Sequence, residues 1–98
     1  MIGKIVYSNA GRDSGRIFII IGIEDENYVL LTDGNMRRLE KAKKKKIKHI
    51  IATDFSDENV SEKLQKGEKV TNADIRKGII NYLNSGIAKE VKAWREKI

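Results

Sequence analysis

The first half of the chain is a series of short, β-branched apolar runs separated by polar breaks. Lys4–Ser8 carries Ile5, Val6 and Tyr7. Arg16–Ile23 is β-branched with Phe18 inside it. Tyr28–Thr32 follows, and Ile47–Thr53 closes the series. Enrichment in β-branched and aromatic residues predicts strands at these places. Met36–Leu39 is a candidate for a shorter fifth strand. The connectors have turn chemistry. Asn9–Gly15 contains Gly11 and Gly15, and Glu24–Asn27 is a polar hairpin tip. Asp33-Gly34 is a two-residue hairpin signal, because glycine takes positive φ at no steric cost. Four or five short strands within about fifty residues predict a small barrel, which also removes most exposed sheet edges.

Near Thr53 the pattern changes to helical spacing. Ser56 or Asp57 is placed to cap a short helix through Val60 and Leu64, with Gly67 just past its end. Thr71 and Asp74 have the spacing of a capping box. Ile75, Ile79, Tyr82 and Leu83 then share one helical face, and Ile87, Val91, Trp94 and Ile98 continue it beyond Gly86. This reads as one helix bent at Gly86 or as two helices. An apolar stripe must bury against something, either the barrel or a partner. The expected division is therefore a barrel over residues 1–53 and a helical extension over 54–98.

With 98 residues the chain has room for one modest core. It has no cysteine and one histidine, which excludes a disulfide framework, a zinc ribbon and any multi-histidine site, so no cofactor or metal is expected. No apolar run approaches the roughly 20 residues of a membrane helix. Met1–Lys4 leads straight into the first strand with no signal-type segment, so the expectation is a cytoplasmic protein without a membrane partner. The net charge is +6. Between Arg37 and Lys48 eight basic residues face Glu40 alone, whereas residues 54–98 hold nine basic and eight acidic groups. The excess is a patch, and a basic patch points to a polyanion.

Catalysis finds no support. Asp13, Asp25, Asp33 and Glu40 read as turn and cap acids, and Ser8 and Ser14 have only His49 to share. The Gly11–Gly15 loop lacks the lysine-serine ending of a phosphate-gripping loop. Arg12 and Arg16 flank that loop, and each can fork onto phosphate oxygens or remain solvated beside Asp13. Lys43–Lys46 reads as a flexible connector of point charges, mobile because like charges repel. Arg37, Arg38 and Lys41 precede it, and Lys48 and His49 follow. Such a stretch neutralises phosphates without reading bases, or serves as a solvated loop or an anionic-lipid contact. Tyr7, Phe18 and Tyr28 fall on strands and read as barrel filling ahead of base stacking. Trp94 reads as core or interface.

The stretch Ile5-Val6-Tyr7-Ser8-Asn9-Ala10-Gly11-Arg12-Asp13-Ser14-Gly15-Arg16 resembles a KOW motif. Asp33-Gly34, Arg37-Arg38 and the lysine run into Lys48-His49-Ile50 extend the likeness to a narrower group. These are bacterial KOW-domain RNA-binding proteins, similar to the KOW-type large-subunit ribosomal protein fourteen of archaea and eukaryotes. The resemblance covers residues 2–53. It implies a small SH3-like barrel that binds RNA, usually ribosomal, with Gly11 at a motif glycine and Arg12 and Arg16 at basic positions. The expectation is thus a mainly β protein, a five-stranded SH3-like barrel followed by one or two C-terminal helices. Its function would be non-catalytic binding of structured ribosomal RNA. The expected contacts are Gly11, Arg12, Gly15, Arg16, Arg37, Arg38, Lys41, Lys43, Lys44, Lys45, Lys46, Lys48 and His49. Replacing Lys43–Lys46 with glutamine would then weaken RNA binding and leave the fold intact. The alternative is a protein-interaction module of the translation or transcription machinery that docks ribosomal protein or polymerase through Ile87, Val91 and Trp94. A transiently acting RNA chaperone or assembly factor is a third reading.

Overall fold

The computed structural model describes residues 1–87. Val91, Trp94 and Ile98, the far end of the expected apolar stripe, lie outside the described residues. Five strands are present among the described residues: β1 (Lys4–Ser8), β2 (Ile17–Ile23), β3 (Tyr28–Thr32), β4 (Lys43–Lys46) and β5 (Ile50–Ser56). Two helices follow, α1 (Glu58–Gln65) and α2 (Asn72–Leu83), and 3-10 turns occur at Gly11–Asp13, Leu39–Lys41 and Ile47–His49.

The strands form one antiparallel sheet in the order β4-β3-β2-β1-β5. Its two edge strands are consecutive in the chain, joined only by the turn at Ile47–His49. A flat five-stranded sheet would hold its edges roughly 19 Å apart. A three-residue 3-10 turn rises about 2 Å per residue and cannot span that gap. The sheet is therefore curled until its edges approach, as the expected barrel requires. Backbone bonds carry the two outer ladders into this turn: Ile47 N–H donates to the Asn27 carbonyl at 2.8 Å, extending β3–β4, and Asn9 N–H donates to the His49 carbonyl at 2.9 Å, extending β1–β5.

Curling gives the sheet two buried faces. Val6, Phe18, Ile20, Val29 and Leu31 fill the inside, with Ile47 and Ile50 packed against them. Ile5, Tyr7 and Ile19 point the other way and are covered by Val60 of α1 and by Ile75 and Tyr82 of α2. This explains why β1 and β2 read as continuous apolar runs: a strand buried on both sides has no polar alternation. Tyr82 is fully buried, its hydroxyl 3.0 Å from that of Tyr7, with Tyr7 and Phe55 packed edge-on against its ring. The helices thus pack on the sheet through a polar contact as well as an apolar one.

Both caps form as their spacing predicts. The Asp57 carboxylate accepts from Val60 N–H at 3.0 Å. Thr71 and Asp74 form a reciprocal capping box at the start of α2. The helical stripe is only partly buried, because Leu83 remains half exposed. α2 stops at Leu83, ahead of Gly86. The chain turns at Asn84 and Ser85 and is helical again at Gly86 and Ile87.

Three strand expectations are corrected. Met36–Leu39 is not a strand, and β3 pairs instead with Lys43–Lys46. Ile47–Thr53 is not one strand, because the turn at Ile47–His49 interrupts it and β5 runs on to Ser56. Asp33-Gly34 makes a turn without making a two-residue hairpin. The Asp33 carboxylate accepts from the backbone of Asn35 at 2.9 Å and of Arg37 at 2.8 Å, which widens the turn into a loop. The N-terminal part of α2 then holds this loop. Asn72 Oδ1 accepts from Leu39 N–H at 2.8 Å, and Arg76 donates to the Gly34 carbonyl at 2.6 Å.

Gly34 has φ +73°, and a Cβ there would lie 2.5 Å from the Asn72 carbonyl oxygen. Gly34→Ala is expected to destabilise the protein by about 2–3 kcal/mol in urea unfolding, through backbone strain and through displacement of α2. Asp74 gives a pH-dependent test. Its hydrogen bonds from the Thr71 backbone and from Lys63 lower its pKa from 3.8 to about 2. A carboxylate with a lowered folded pKa stabilises above its unfolded pKa, and this is lost as the pH falls through the folded value. Asp74→Ala is expected to cost about 1 kcal/mol at pH 7. The gap from wild type should narrow between pH 4 and about pH 2, followed by unfolding curves at each pH.

Candidate nucleic-acid interface

The lysine run is an ordered edge strand rather than a flexible connector. Strand alternation divides it. Lys43 and Lys45 stand opposite Leu31 and Val29, on the inner side of the sheet. Lys44 and Lys46 stand opposite Leu30 and Tyr28, on the other side. The like charges are tolerated because successive side chains leave the strand on opposite faces and because each inner lysine meets an oxygen.

Those oxygens belong to the Asn9–Gly15 connector. The Lys43 ammonium pairs with the Asp13 carboxylate, and Lys45 Nζ donates to the Ala10 carbonyl at 2.9 Å. Arg16 reaches Asp13 at 3.5 Å and Asp33 at 2.8 Å, and its guanidinium lies 5.8 Å from the centre of the Phe18 ring. Asp13 is buried at 6% exposure, which makes it the anchor of this cluster. The Lys43 hydrogen bond holds its carboxyl below the usual carboxylate range. Burial opposes this shift, and the charges of Lys43, Arg16 and Arg37 reinforce it. Gly11 and Gly15, at φ +73° and +86°, let the loop turn tightly enough to put Asp13 under these cations. Arg16, Lys43 and Lys45 therefore have internal partners. Arg12 projects from the same loop, exposed and without an ion pair among the described residues.

The second group surrounds Tyr28. Lys44 Nζ lies 4.7 Å and Lys46 Nζ 6.0 Å from the centre of its ring. Tyr28 is only half buried, so it does not fill the barrel as Phe18 does; Tyr7, also expected inside, is buried on the other face under the helices. Together with Glu26, Asn27, Lys46, Ile47 and Lys48 it lines a groove of about 470 Å³. Lys48 is exposed, and His49 is half buried with its carbonyl bonded to Asn9. Arg37, Arg38 and Lys41 lie apart, in the loop held by α2. Arg38 meets Glu40 at 3.6 Å across an exposed pair, and Lys41 is exposed. The acids expected to shape turns do so at Asp25 and Asp33. Asp13 does more, since it ties its loop to β4 through Lys43. Tyr28 is the residue that strand reading missed. Its signal is the alternation of Tyr28-Val29-Leu30-Leu31, which places the tyrosine opposite the buried valine.

The expectation that lysine-to-glutamine changes across the run spare the fold therefore needs division. Lys43→Gln strips the main partner from a buried carboxylate and is expected to cost about 1–3 kcal/mol. Lys44→Gln is expected to stay within about 0.5 kcal/mol of wild type. Urea unfolding of the two single variants measures the difference directly.

No family model matches the chain. Curated relatives do. The chain is 36% identical over 85 residues to the large ribosomal subunit protein eL14 of Desulfurococcus amylolyticus, covering 84% of this chain and 83% of that protein. It is 30% identical over 89 residues to the eL14 protein of Pyrobaculum arsenaticum, covering 88% and 82%. With the eL14 protein of Staphylothermus marinus the identity is 40% over 53 residues, about half of each chain. A curled five-stranded sheet with two helices, and identity of this extent over most of both sequences, place the chain in the eL14 family of large ribosomal subunit proteins.

Proposed function

We propose that this protein is a non-catalytic RNA-binding component of the large ribosomal subunit, acting in the cytoplasm on structured ribosomal RNA. The observation that carries this reading is the similarity to eL14 proteins over most of both chains. The charge geometry supports it. Arg12, Lys44, Lys46 and Lys48 supply one set of phosphate contacts, and Arg37, Arg38 and Lys41 a second. Arg16, Lys43 and Lys45 act as positioning residues that hold the loop carrying Arg12. Gly11 and Gly15 contribute through the shape of that loop, and His49 through its backbone.

A-form RNA presents phosphates and 2′-hydroxyls to side chains and hides its major groove. Flexible lysines and forked arginines suit such shape-based recognition. Among the described residues no cluster of acids and histidines could hold a metal, and no helix is long and apolar enough to cross a membrane. Ile80 and Leu83 stand half exposed on α2. They favour the helical side as the surface that meets neighbouring ribosomal proteins, while the basic groups meet RNA.

With about six phosphates contacted, affinity for a ribosomal RNA fragment is expected to fall by roughly three orders of magnitude between 50 and 200 mM salt. Binding titrations across that range test this, and a flat response overturns the mechanism. In cell lysate the protein is expected to sediment with large subunits. A nuclease-resistant peak elsewhere would replace RNA with a protein partner.

A further inference from the structure

We propose that the groove beside Tyr28 receives a single unpaired nucleotide, with guanine as its preferred base. The inference rests on the RNA-binding reading and adds a base-reading site to it. Both rims of the groove are fixed. On one side, Asp25 Oδ1 accepts from the backbone of Asn27 at 2.8 Å and of Tyr28 at 3.1 Å, locking the β2–β3 tip. On the other, Ile47 N–H donates to the Asn27 carbonyl at 2.8 Å, tying that tip to the turn between β4 and β5. The space between them is about 470 Å³, within the range of ligand clefts at about 300–1,000 Å³.

The lining is mixed in a way that phosphate binding alone does not explain. Lys46 and Lys48 suit a phosphate, and Tyr28 and Ile47 offer ring and aliphatic surface to a base. Glu26 repels phosphate, yet it stands in the same groove. A carboxylate there accepts hydrogen bonds from N–H groups. Guanine presents two adjacent donors, N1–H and N2–H, which a carboxylate takes together. Uracil presents one donor flanked by two carbonyl oxygens, which the carboxylate repels. In a paired helix the guanine donors are already engaged, so the base must be unpaired. Asn27 supplies an amide beside the carboxylate for the remaining polar edge.

The test uses the full chain and three RNA stems that differ only at one position: fully paired, with one bulged guanosine, or with one bulged uridine. Affinity is read by fluorescence anisotropy at 100 mM salt. The bulged-guanosine stem is expected to bind about tenfold more tightly than the paired stem, with the uridine stem between them. Glu26→Gln, at an exposed hairpin tip, is expected to remove the preference for guanosine over uridine without weakening the paired stem. Equal binding of all three stems with a steep salt dependence would overturn the groove proposal and leave the RNA-binding reading standing. An unchanged guanosine preference in Glu26→Gln would overturn the base-reading role of the carboxylate. Failure of every stem to bind, even at 50 mM salt, would overturn both readings.

Discussion

The three-residue connection between the two edge strands constrains everything else in this small protein. It forces the sheet to curl, and the curl creates an interior from residues that a flat sheet would leave on one open face. The β3–β4 register sets the β2–β3 tip against the turn at Ile47–His49, where Asn27 and Ile47 are bonded. The groove beside Tyr28 lies at that junction. The same curl carries the inner lysines of β4 to the Asn9–Gly15 connector, so that Lys43 meets Asp13 and Lys45 meets Ala10. Closure is thus an electrostatic event as well as a topological one.

Four consecutive lysines make an improbable strand by propensity. Context reverses that disadvantage. An edge strand with an exposed row of backbone groups invites pairing with another chain, and lysine is a residue that discourages it. Alternation separates the like charges, and each inner ammonium meets a fixed oxygen. A buried carboxylate such as Asp13 is costly without a partner. The loop and the edge strand therefore stabilise one another: Asp13 makes the lysine strand tolerable, and the lysine strand makes a buried Asp13 tolerable. Removing either partner leaves the other uncompensated, whereas Lys44, outside this arrangement, is free to be lost.

Local chemistry was legible in the sequence, and distant pairing was not. The Asp57 cap and the Thr71–Asp74 box depend on residues three apart, so spacing alone reveals them. β1, β2 and β3 depend on runs whose character is visible in place. β4 depends on pairing with β3 across the Asp33–Ala42 loop, and nothing within Lys43–Lys46 announces that partner. Met36–Leu39 failed as a strand because the Asp33 carboxylate and α2 hold the preceding turn open. Among candidate site residues, the sequence located the basic segments but could not sort them. Arg16, Lys43 and Lys45 look the same in composition as Arg12, Lys44 and Lys46. Only the folded contacts show that the first three have internal partners.

That sorting bears on how backbone and base contacts would be coupled. In the free protein Lys44 lies over the ring of Tyr28. A cation–π contact at an exposed site contributes about 0.5–1 kcal/mol. A hydrogen bond to a charged group contributes about 1.5–3 kcal/mol. A phosphate approaching β4 therefore outcompetes the ring for the ammonium. Drawing Lys44 away would uncover ring surface of Tyr28 as the RNA backbone arrives. Were Lys44 to take a phosphate as proposed, one side chain would both draw in the RNA backbone and release the ring of Tyr28, so phosphate capture and base insertion would be sequential steps of one encounter.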